Sequence, residues 1–190
     1  MNLDAVFALL NEARELTGHA DYVVIGSLSI LGLEGDFDIP PSMTMSVDVD
    51  CYTQHDPGRS FDLLRALGEH SPHHHRTGIY LDAVTPALPS LPQGWQDRLI
   101  RVERAGLRIA FLDPNDAALS KYARGEPRDR RWIQGGIVAG VISLAIVSQR
   151  FRSTHFLDAA EQALAQRLID DDKAWFERIQ RDRPRPDAVP

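Results

Sequence analysis

The clearest strand in the sequence is Ser46-Val47-Asp48-Val49-Asp50-Cys51-Tyr52. Its apolar and polar residues alternate, so one face of the strand is apolar and the other carries Asp48 and Asp50. The two carboxylates would lie roughly 7 Å apart, close enough to share a pair of magnesium ions. A solvated strand face is the alternative, but like charges this close repel unless a cation neutralises them. We therefore favour a metal site on this strand.

A strand-to-helix turn precedes this strand. The apolar residues 22–25 predict a buried strand that ends at Gly26 and Ser27, after which apolar residues indicate the start of a helix. A glycine at such a turn lets the backbone approach a phosphate group, and the first amides of a helix favour an anion. Ser27 could add a hydroxyl donor. Many Gly-Ser turns are purely conformational, so the turn alone decides nothing.

A third carboxylate follows the acidic strand. Residues 78–84 form another strand candidate, in which Asp82 and Tyr80 share one face. If this strand neighbours the first, Asp82 would reach the same metal ions and could accept the proton of an attacking hydroxyl. A polar strand end is the equally simple alternative.

The most basic part of this acidic chain is residues 119–132. Lys121 is predicted on a helix, and Asp129 begins the next helix after a Gly-Glu-Pro turn. Such a helix pair can bring the lysine near a triphosphate and the aspartate near the lysine. The arginines of this segment are Arg124, Arg128, Arg130 and Arg131. They suit a phosphate-rich ligand, or a solvated helix face with acidic neighbours.

The remaining elements define the fold class. Helical spacing is found at residues 3–16 and repeatedly after Asp113, with the last helix at 154–181, whereas the strands, including a hairpin at 99–112, come early. This order predicts an α/β (α+β) fold: a small mixed sheet flanked by helices, with a helical C-terminal half. The predicted units are a sheet domain at 1–112, a helical part completing the site at 113–182 and a disordered tail at 183–190.

The composition limits the class of protein and the compartment that we expect for it. The chain has 190 residues and a formal net charge of −6, which argues against a surface that tracks nucleic acid throughout. Cys51 is the single cysteine, which fits a reducing cytosol. The apolar stretch 133–147 is predicted to be a core helix rather than a membrane span, and we expect no leader, no membrane contact and a cytoplasmic protein. Three consecutive histidines at 73–75 cannot easily converge on zinc, although His74 could line a nucleotide site.

Together these residues resemble the nucleotidyltransferases of the DNA polymerase beta superfamily, in particular the bacterial branch that includes the AbiEii-type toxins and an uncharacterised subgroup close to it. The landmarks occur in the family's order: Gly26-Ser27, Asp48-Val49-Asp50, Asp82, and Lys121 followed by Arg128-Asp129. The subgroup signatures are similar to residues 26–32, 91–95 and 121–129. The resemblance covers roughly residues 22–147.

The resemblance implies transfer of a nucleotidyl group from a nucleoside triphosphate to a hydroxyl, with two Mg²⁺ ions. Asp48, Asp50 and Asp82 would bind the metals, with Asp82 also activating the acceptor. Gly26 and Ser27 would hold the outer phosphates, Lys121 would contact the triphosphate, and Asp129 would orient the triphosphate or the lysine. Toxin members modify transfer RNA or protein targets, so an RNA or protein acceptor, a toxin role and an antitoxin partner are all to be considered.

Two features depart from the usual pattern. Twenty residues separate Ser27 from Asp48, about twice the common spacing, which would instead select Asp36 and Asp38. We place that pair in a loop outside the cleft, because a glycine precedes it and Pro40-Pro41 follows it. Thr44 stands where an arginine often precedes the acidic strand. Two other functions therefore stay open: a degenerate fold that binds a nucleotide or RNA without chemistry, and an interaction protein whose acidic face meets a basic partner.

Overall fold

A five-stranded mixed sheet forms the centre of the molecule, in a computed structural model that describes residues 1–33, 35 and 37–182. The strands are β1 (Asp21–Val24), β2 (Asp48–Thr53), β3 (Tyr80–Ala83), β4 (Ile100–Arg104) and β5 (Leu107–Phe111). Their order across the sheet is β3-β2-β1-β5-β4. Pairing is parallel between β1 and β5 and between β2 and β3, and antiparallel between β1 and β2 and between β4 and β5. The predicted small mixed sheet is confirmed.

Helices flank this sheet and make up most of the chain after β5, as the sequence predicts. In the part of the chain that the structure describes, they are α1 (Leu3–Thr17), α2 (Pro41–Thr44), α3 (Leu64–Leu67), α4 (Pro72–Thr77), α5 (Pro114–Arg124), α6 (Pro127–Val138), α7 (Leu144–Phe151) and α8 (Ala159–Asp182). Three 3₁₀ helices cover Gly26–Gly32, Pro57–Leu63 and Trp95–Arg98. None of the described helices is both long and apolar enough to cross a membrane.

The two faces of the sheet pack against different helices. Alternation along β1 sends Tyr22 and Val24 to the face covered by α1, and Val23 to the face covered by the helices that follow β5. On β2, Val49 belongs to the α1 side, so Asp48 and Asp50, of opposite parity, face the side of the helical half. The core on that side joins residues from both 1–112 and 113–182, so the two predicted units share one hydrophobic cluster.

Helix α5 begins and ends where local chemistry dictates. The Asp113 carboxylate accepts hydrogen bonds from the first free N–H groups of the helix, and Pro114 occupies the first position, where its missing N–H costs nothing. Gly125, with φ of 70°, ends the helix in the left-handed conformation that glycine tolerates. These caps fix the position of Lys121, four residues before Gly125.

Two local predictions were wrong. Residues 133–147 form no single helix, because the chain turns at Gly140, which has φ of 75°, and α7 starts afresh after its cap Ser143. The last helix starts at Ala159, not at 154. The predicted tail at 183–190 lies outside the described residues.

Candidate active site

Three carboxylates on β2 and β3 lie close together, on the sheet face that looks toward the helical half. In the parallel pairing of β2 with β3, Asp50 lies directly beside Asp82, and Asp48 beside Tyr80. One oxygen from each of Asp48, Asp50 and Asp82 lies within 4.8 Å of the other two. Asp48 and Asp50 are partly buried and Asp82 is exposed. Hard oxygen donors at this spacing are the ligands that magnesium or calcium takes from proteins.

The electrostatics of this cluster are unfavourable without a cation. Burial, followed by the charges of Asp48 and Asp82, raises the pKa of Asp50 from 3.8 to about 7. Burial and the Asp48 charge also raise the pKa of Asp82. The metal-free site therefore resists carrying its full negative charge near neutral pH, and a bound cation would remove that resistance.

Gly26 brings the strand-to-helix turn against this cluster. Its φ is 75°, and a Cβ added there would lie 2.0 Å from Oδ2 of Asp50. The backbone N–H of Ile25 also donates to the carbonyl of Asp50 at 2.9 Å. Only glycine satisfies both the left-handed backbone and the close approach. The turn and the acidic strand are therefore in direct contact.

Ser27 is held by two side chains from the helical half. Lys121 Nζ donates to Ser27 Oγ at 2.9 Å and to Asp129 Oδ1 at 3.1 Å. The indole N–H of Trp132 donates to the Ser27 carbonyl and to that of Met43, each at 3.1 Å, and the Trp132 ring lies 4.8 Å from Lys121 Nζ. The structure thus brings Ser27, Lys121 and Asp129 together, although 94 residues separate the serine from the lysine.

Asp129 is the centre of this network. It is 2% exposed, Lys121 is 3% exposed, and the half-exposed Arg124 donates to both Asp129 oxygens at 2.7 and 2.6 Å. Burial works to raise the pKa of Asp129, but the Arg124 hydrogen bonds and the Lys121 charge outweigh it and keep that pKa lowered. Burial lowers the pKa of Lys121, and Asp129 opposes this. The result is a bidentate ion pair that positions the lysine.

Two adjoining pockets lie over the carboxylates. We call the larger, of about 470 Å³, the carboxylate pocket; it contains the three aspartates, Ser27, Asp129 and the arginines Arg124, Arg128 and Arg131. We call the smaller, of about 310 Å³, the side pocket; its lining includes Ile25, Gly26, Ser90, Leu112, Ala117, Ser120, Lys121 and Glu161. Asp50, Val84, Leu88 and Arg124 line both. A ligand can therefore span the two pockets across Asp50.

Other predicted candidates lie elsewhere. Asp38 is exposed and outside regular secondary structure, and Asp36 lies outside the described residues. His74 packs against Tyr80, with ring centroids 4.7 Å apart, and lines neither pocket. Arg130 points instead to the buried Asp172 at 3.1 Å. The other arginines of the basic segment, Arg124, Arg128 and Arg131, line the carboxylate pocket, so only part of that segment belongs to the candidate site.

Ser90 and Glu161, which line the side pocket and contact each other, were not among the sequence candidates. Arg124 was considered only as part of the basic segment, although it follows Lys121 by one helical turn, a spacing that places both on one helix face. Ser90 lies in a loop and Glu161 in the first turn of α8, 71 residues later. No local pattern links two such positions, so their contact could be found only in the folded chain.

A comparison with family models matches residues 4–183, nearly the whole chain. The matching family is described as a nucleotidyltransferase of unknown function, which supports the nucleotidyltransferase part of the resemblance without reaching the AbiEii-type branch. No curated protein and no solved structure matches the chain significantly. On the extent of the family match, the chain belongs to the family described as "Nucleotidyltransferase of unknown function (DUF6036)".

Proposed function

We propose that the chain transfers a nucleotidyl group from a magnesium-bound nucleoside triphosphate to a hydroxyl group of an RNA or protein acceptor. The observation that carries this proposal is the convergence of Asp48, Asp50 and Asp82 within 4.8 Å of one another, in a pocket that also contains Ser27 and three arginines. Negative and positive groups in one cleft suit a metal–polyphosphate ligand, which presents both kinds of charge.

The donor set fits magnesium. Asp48, Asp50 and Asp82 would supply oxygen ligands. Burial, followed by the charges of Asp48 and Asp82, raises the pKa of Asp50, and a bound cation would stabilise the ionised carboxylate. Magnesium bound there would polarise phosphoryl oxygens and favour ionisation of an attacking hydroxyl. The remaining work of binding and orientation falls to the side chains around the pocket.

The triphosphate would be held from the helical side. Ser27 Oγ and Lys121 Nζ lie 2.9 Å apart beside the carboxylates, and Arg128 and Arg131 line the same pocket from α6. These arginines would supply, from the helical side, the positive charge that an arginine at the position of Thr44 often provides in the family. Asp129 would act as a positioning residue, since its carboxylate accepts hydrogen bonds from Lys121 and Arg124.

The reaction is an in-line displacement. The acceptor oxygen forms a bond to the α-phosphorus, the bond from that phosphorus to the bridging oxygen breaks, and pyrophosphate leaves. The proton of the acceptor hydroxyl passes to a carboxylate. We assign this role to Asp82, because it is the exposed member of the three and burial with the Asp48 charge raises its pKa, which makes it a better base.

Label transfer tests the proposal. The protein is incubated with each nucleoside triphosphate labelled at the α-phosphate, with magnesium and with total cellular RNA or protein. We expect magnesium-dependent labelling, lowered about 100- to 1,000-fold by Asp48→Asn, the range for losing one preorganised electrostatic contact in an active site. Asp48→Asn should change the free energy of unfolding by less than about 0.5 kcal/mol. Asp171→Asn, exposed on α8, is the matched control.

The two rival functions give different results in the same samples. A degenerate fold would bind triphosphate, seen as thermal stabilisation, without transferring label. A pure interaction protein would show neither effect. If a target is labelled, growth of cells that express wild type or Asp48→Asn then tests the toxin role, and co-purification tests for an antitoxin. An unfolded Asp48→Asn variant would mean that the residue is structural.

A further inference from the structure

The side pocket has both apolar and polar lining. Ile25, Leu112 and Ala117 supply apolar surface, and Ser90 and Glu161 line the pocket from the loop after β3 and from α8. The other polar and charged residues of the lining are Asp50, Ser120, Lys121 and Arg124. Its volume of about 310 Å³ is at the lower end for small-ligand sites. A flat aromatic group between apolar walls, with a hydrogen-bonding edge toward Ser90 and Glu161, suits this shape and polarity.

The Glu161 carboxylate is held in a single orientation. Its Oε2 accepts a hydrogen bond from Ser90 Oγ at 2.8 Å and from the backbone N–H of Leu157 at 2.6 Å. The cap Asp158 fixes the same turn, because its Oδ1 accepts from the Glu161 N–H at 2.8 Å. Glu161 Oε1 has no hydrogen-bond partner among residues 1–33, 35 and 37–182 and is left for a ligand.

This pair of side chains can only accept further hydrogen bonds. The Ser90 hydroxyl proton is committed to Glu161, so the serine offers only its oxygen lone pairs, and an ionised carboxylate has no proton to donate. The pair therefore presents two adjacent acceptors, Ser90 Oγ and Glu161 Oε1. A ligand that fits must present two adjacent donors, since an acceptor facing these two oxygens would be repelled by them and would form no hydrogen bond.

Among the four common nucleobases, one edge meets that demand. Guanine carries N1–H beside its 2-amino group, so two donors are adjacent. Adenine and cytosine each place a ring acceptor beside their amino group, and uracil flanks its single N–H with two carbonyl oxygens. Resting on the proposed function, we infer that the side pocket selects guanine nucleotides, with Glu161 and Ser90 as the residues that determine base specificity.

The phosphates of such a nucleotide reach the carboxylates without leaving the cleft. Gly26 and Lys121 line the side pocket near the carboxylate pocket, and Asp50 and Arg124 line both. A guanine in the side pocket thus places its ribose beside Asp50 and its phosphates toward Ser27. Nucleotides that differ only in their base therefore test the roles of Ser90 and Glu161, because their phosphate contacts are the same.

Competition binding tests the inference. Non-hydrolysable analogues of GTP, ATP, CTP and UTP are measured with magnesium on the full chain, together with the analogue of ITP, which lacks only the 2-amino group. We expect GTP to bind about 10- to 100-fold more tightly than ATP, the range for hydrogen bonds to a charged group, and ITP to fall between them.

The variant Glu161→Gln tests the assigned role of Glu161 more directly. Glutamine keeps an oxygen for the Ser90 and Leu157 donors but turns an N–H₂ donor toward the ligand. Guanine would then meet donor with donor, whereas adenine offers N1 as acceptor to the glutamine and its amino group to Ser90. We expect the GTP preference to be lost and ATP binding to gain. Glu177→Gln, exposed on the same helix, is the control that keeps the wild-type order.

The outcomes separate this inference from the proposed function. Equal binding of the four triphosphates, with magnesium-dependent transfer intact, overturns guanine selection and leaves the transferase. A GTP preference that survives Glu161→Gln overturns the assigned role of Glu161. If no triphosphate binds, both fail together. A GTP preference that Glu161→Gln reverses, with the order GTP, ITP, ATP in the wild type, establishes the inference.

Discussion

The two walls of the cleft treat charge in opposite ways. On the helical wall, Lys121 and Asp129 are 3% and 2% exposed, and every one of their charges has a partner of opposite sign within 3.1 Å. On the sheet wall, Asp48, Asp50 and Asp82 face one another with like charge. The buried charges of the first wall are paired in the folded chain, whereas the like charges of the second would be neutralised by a bound cation.

The paired charges of the helical wall stabilise the fold, whereas the like charges of the sheet wall suit the binding of a ligand. Substitutions on the helical wall should damage stability, because they strand a buried charge. Substitutions on the sheet wall should spare or improve stability and abolish function, because they remove repulsion together with a ligand-binding group. The predictions below test each side.

The largest stability effect is expected at Asp129. Asp129→Ala leaves the buried Lys121 ammonium without its partner, and breaking a buried ion pair from one side costs about 3–5 kcal/mol. Urea denaturation measures the free energy of unfolding. Asp170→Ala is the control, since the exposed Asp170–Lys173 pair is worth at most about 1 kcal/mol. Similar losses for the two variants would mean that the helical wall is no more organised than a surface pair.

A smaller effect is expected on ligand binding at Lys121. Lys121→Ala removes one charged donor beside Ser27, while Arg124 still pairs with Asp129. Triphosphate binding should weaken by about 1.5–3 kcal/mol, the range for a charge-assisted hydrogen bond, and binding of the bare nucleoside should hardly change. Calorimetry on both ligands makes the comparison, with Lys173→Ala as control. Equal losses for nucleoside and triphosphate would contradict a phosphate contact.

The sheet wall was the part of the site most open to sequence reasoning. Period-two alternation identifies Asp48 and Asp50 on one face, because strand geometry alone dictates it. Asp82 required a guess about pairing, since nothing local specifies which strand neighbours which, and the structure places it beside Asp50. The proximity of Lys121 to Ser27 was expected from the resemblance alone, because a contact across 94 residues leaves no local periodicity.

What sequence reasoning missed has identifiable physical causes. Continuous apolar character from 133 to 147 hid a turn, although Gly140 and Ser143 carried its signals, a left-handed glycine and a helix cap. The contact between Ser90 and Glu161 joins a loop to a helix start and follows no pattern at all. Side chains that recognise a ligand from loops depend on tertiary packing, so they escape a reading built on periodicity.

The smallest predicted effect concerns Asp50 and pH in the metal-free protein. The pKa of Asp50 is about 7 in the folded chain, mainly through burial, against an ordinary 3.8. Between pH about 4 and 7 the folded state therefore keeps a proton that the unfolded state has released. The full stabilising contribution is present below pH about 4. That contribution is lost as pH rises through about 7. Wild-type protein in a chelator should accordingly lose stability between pH 5 and 8.

Asp50→Asn should flatten that profile. Asparagine carries no charge at any pH, so the variant is expected to exceed wild type by about 1–2 kcal/mol at pH 8 and to match it near pH 5. This gain is below the roughly 3 kcal/mol that a pKa of about 7 implies between pH 5 and 8, because Asp50 is only partly buried and water can solvate its ionised form. Magnesium should stabilise wild type at pH 8 far more than at pH 5.5, and the variant at neither. Parallel wild-type and Asp50→Asn profiles in thermal unfolding would mean that the pKa of Asp50 is not raised in the folded protein, and the contrast between the walls would fail on the sheet side.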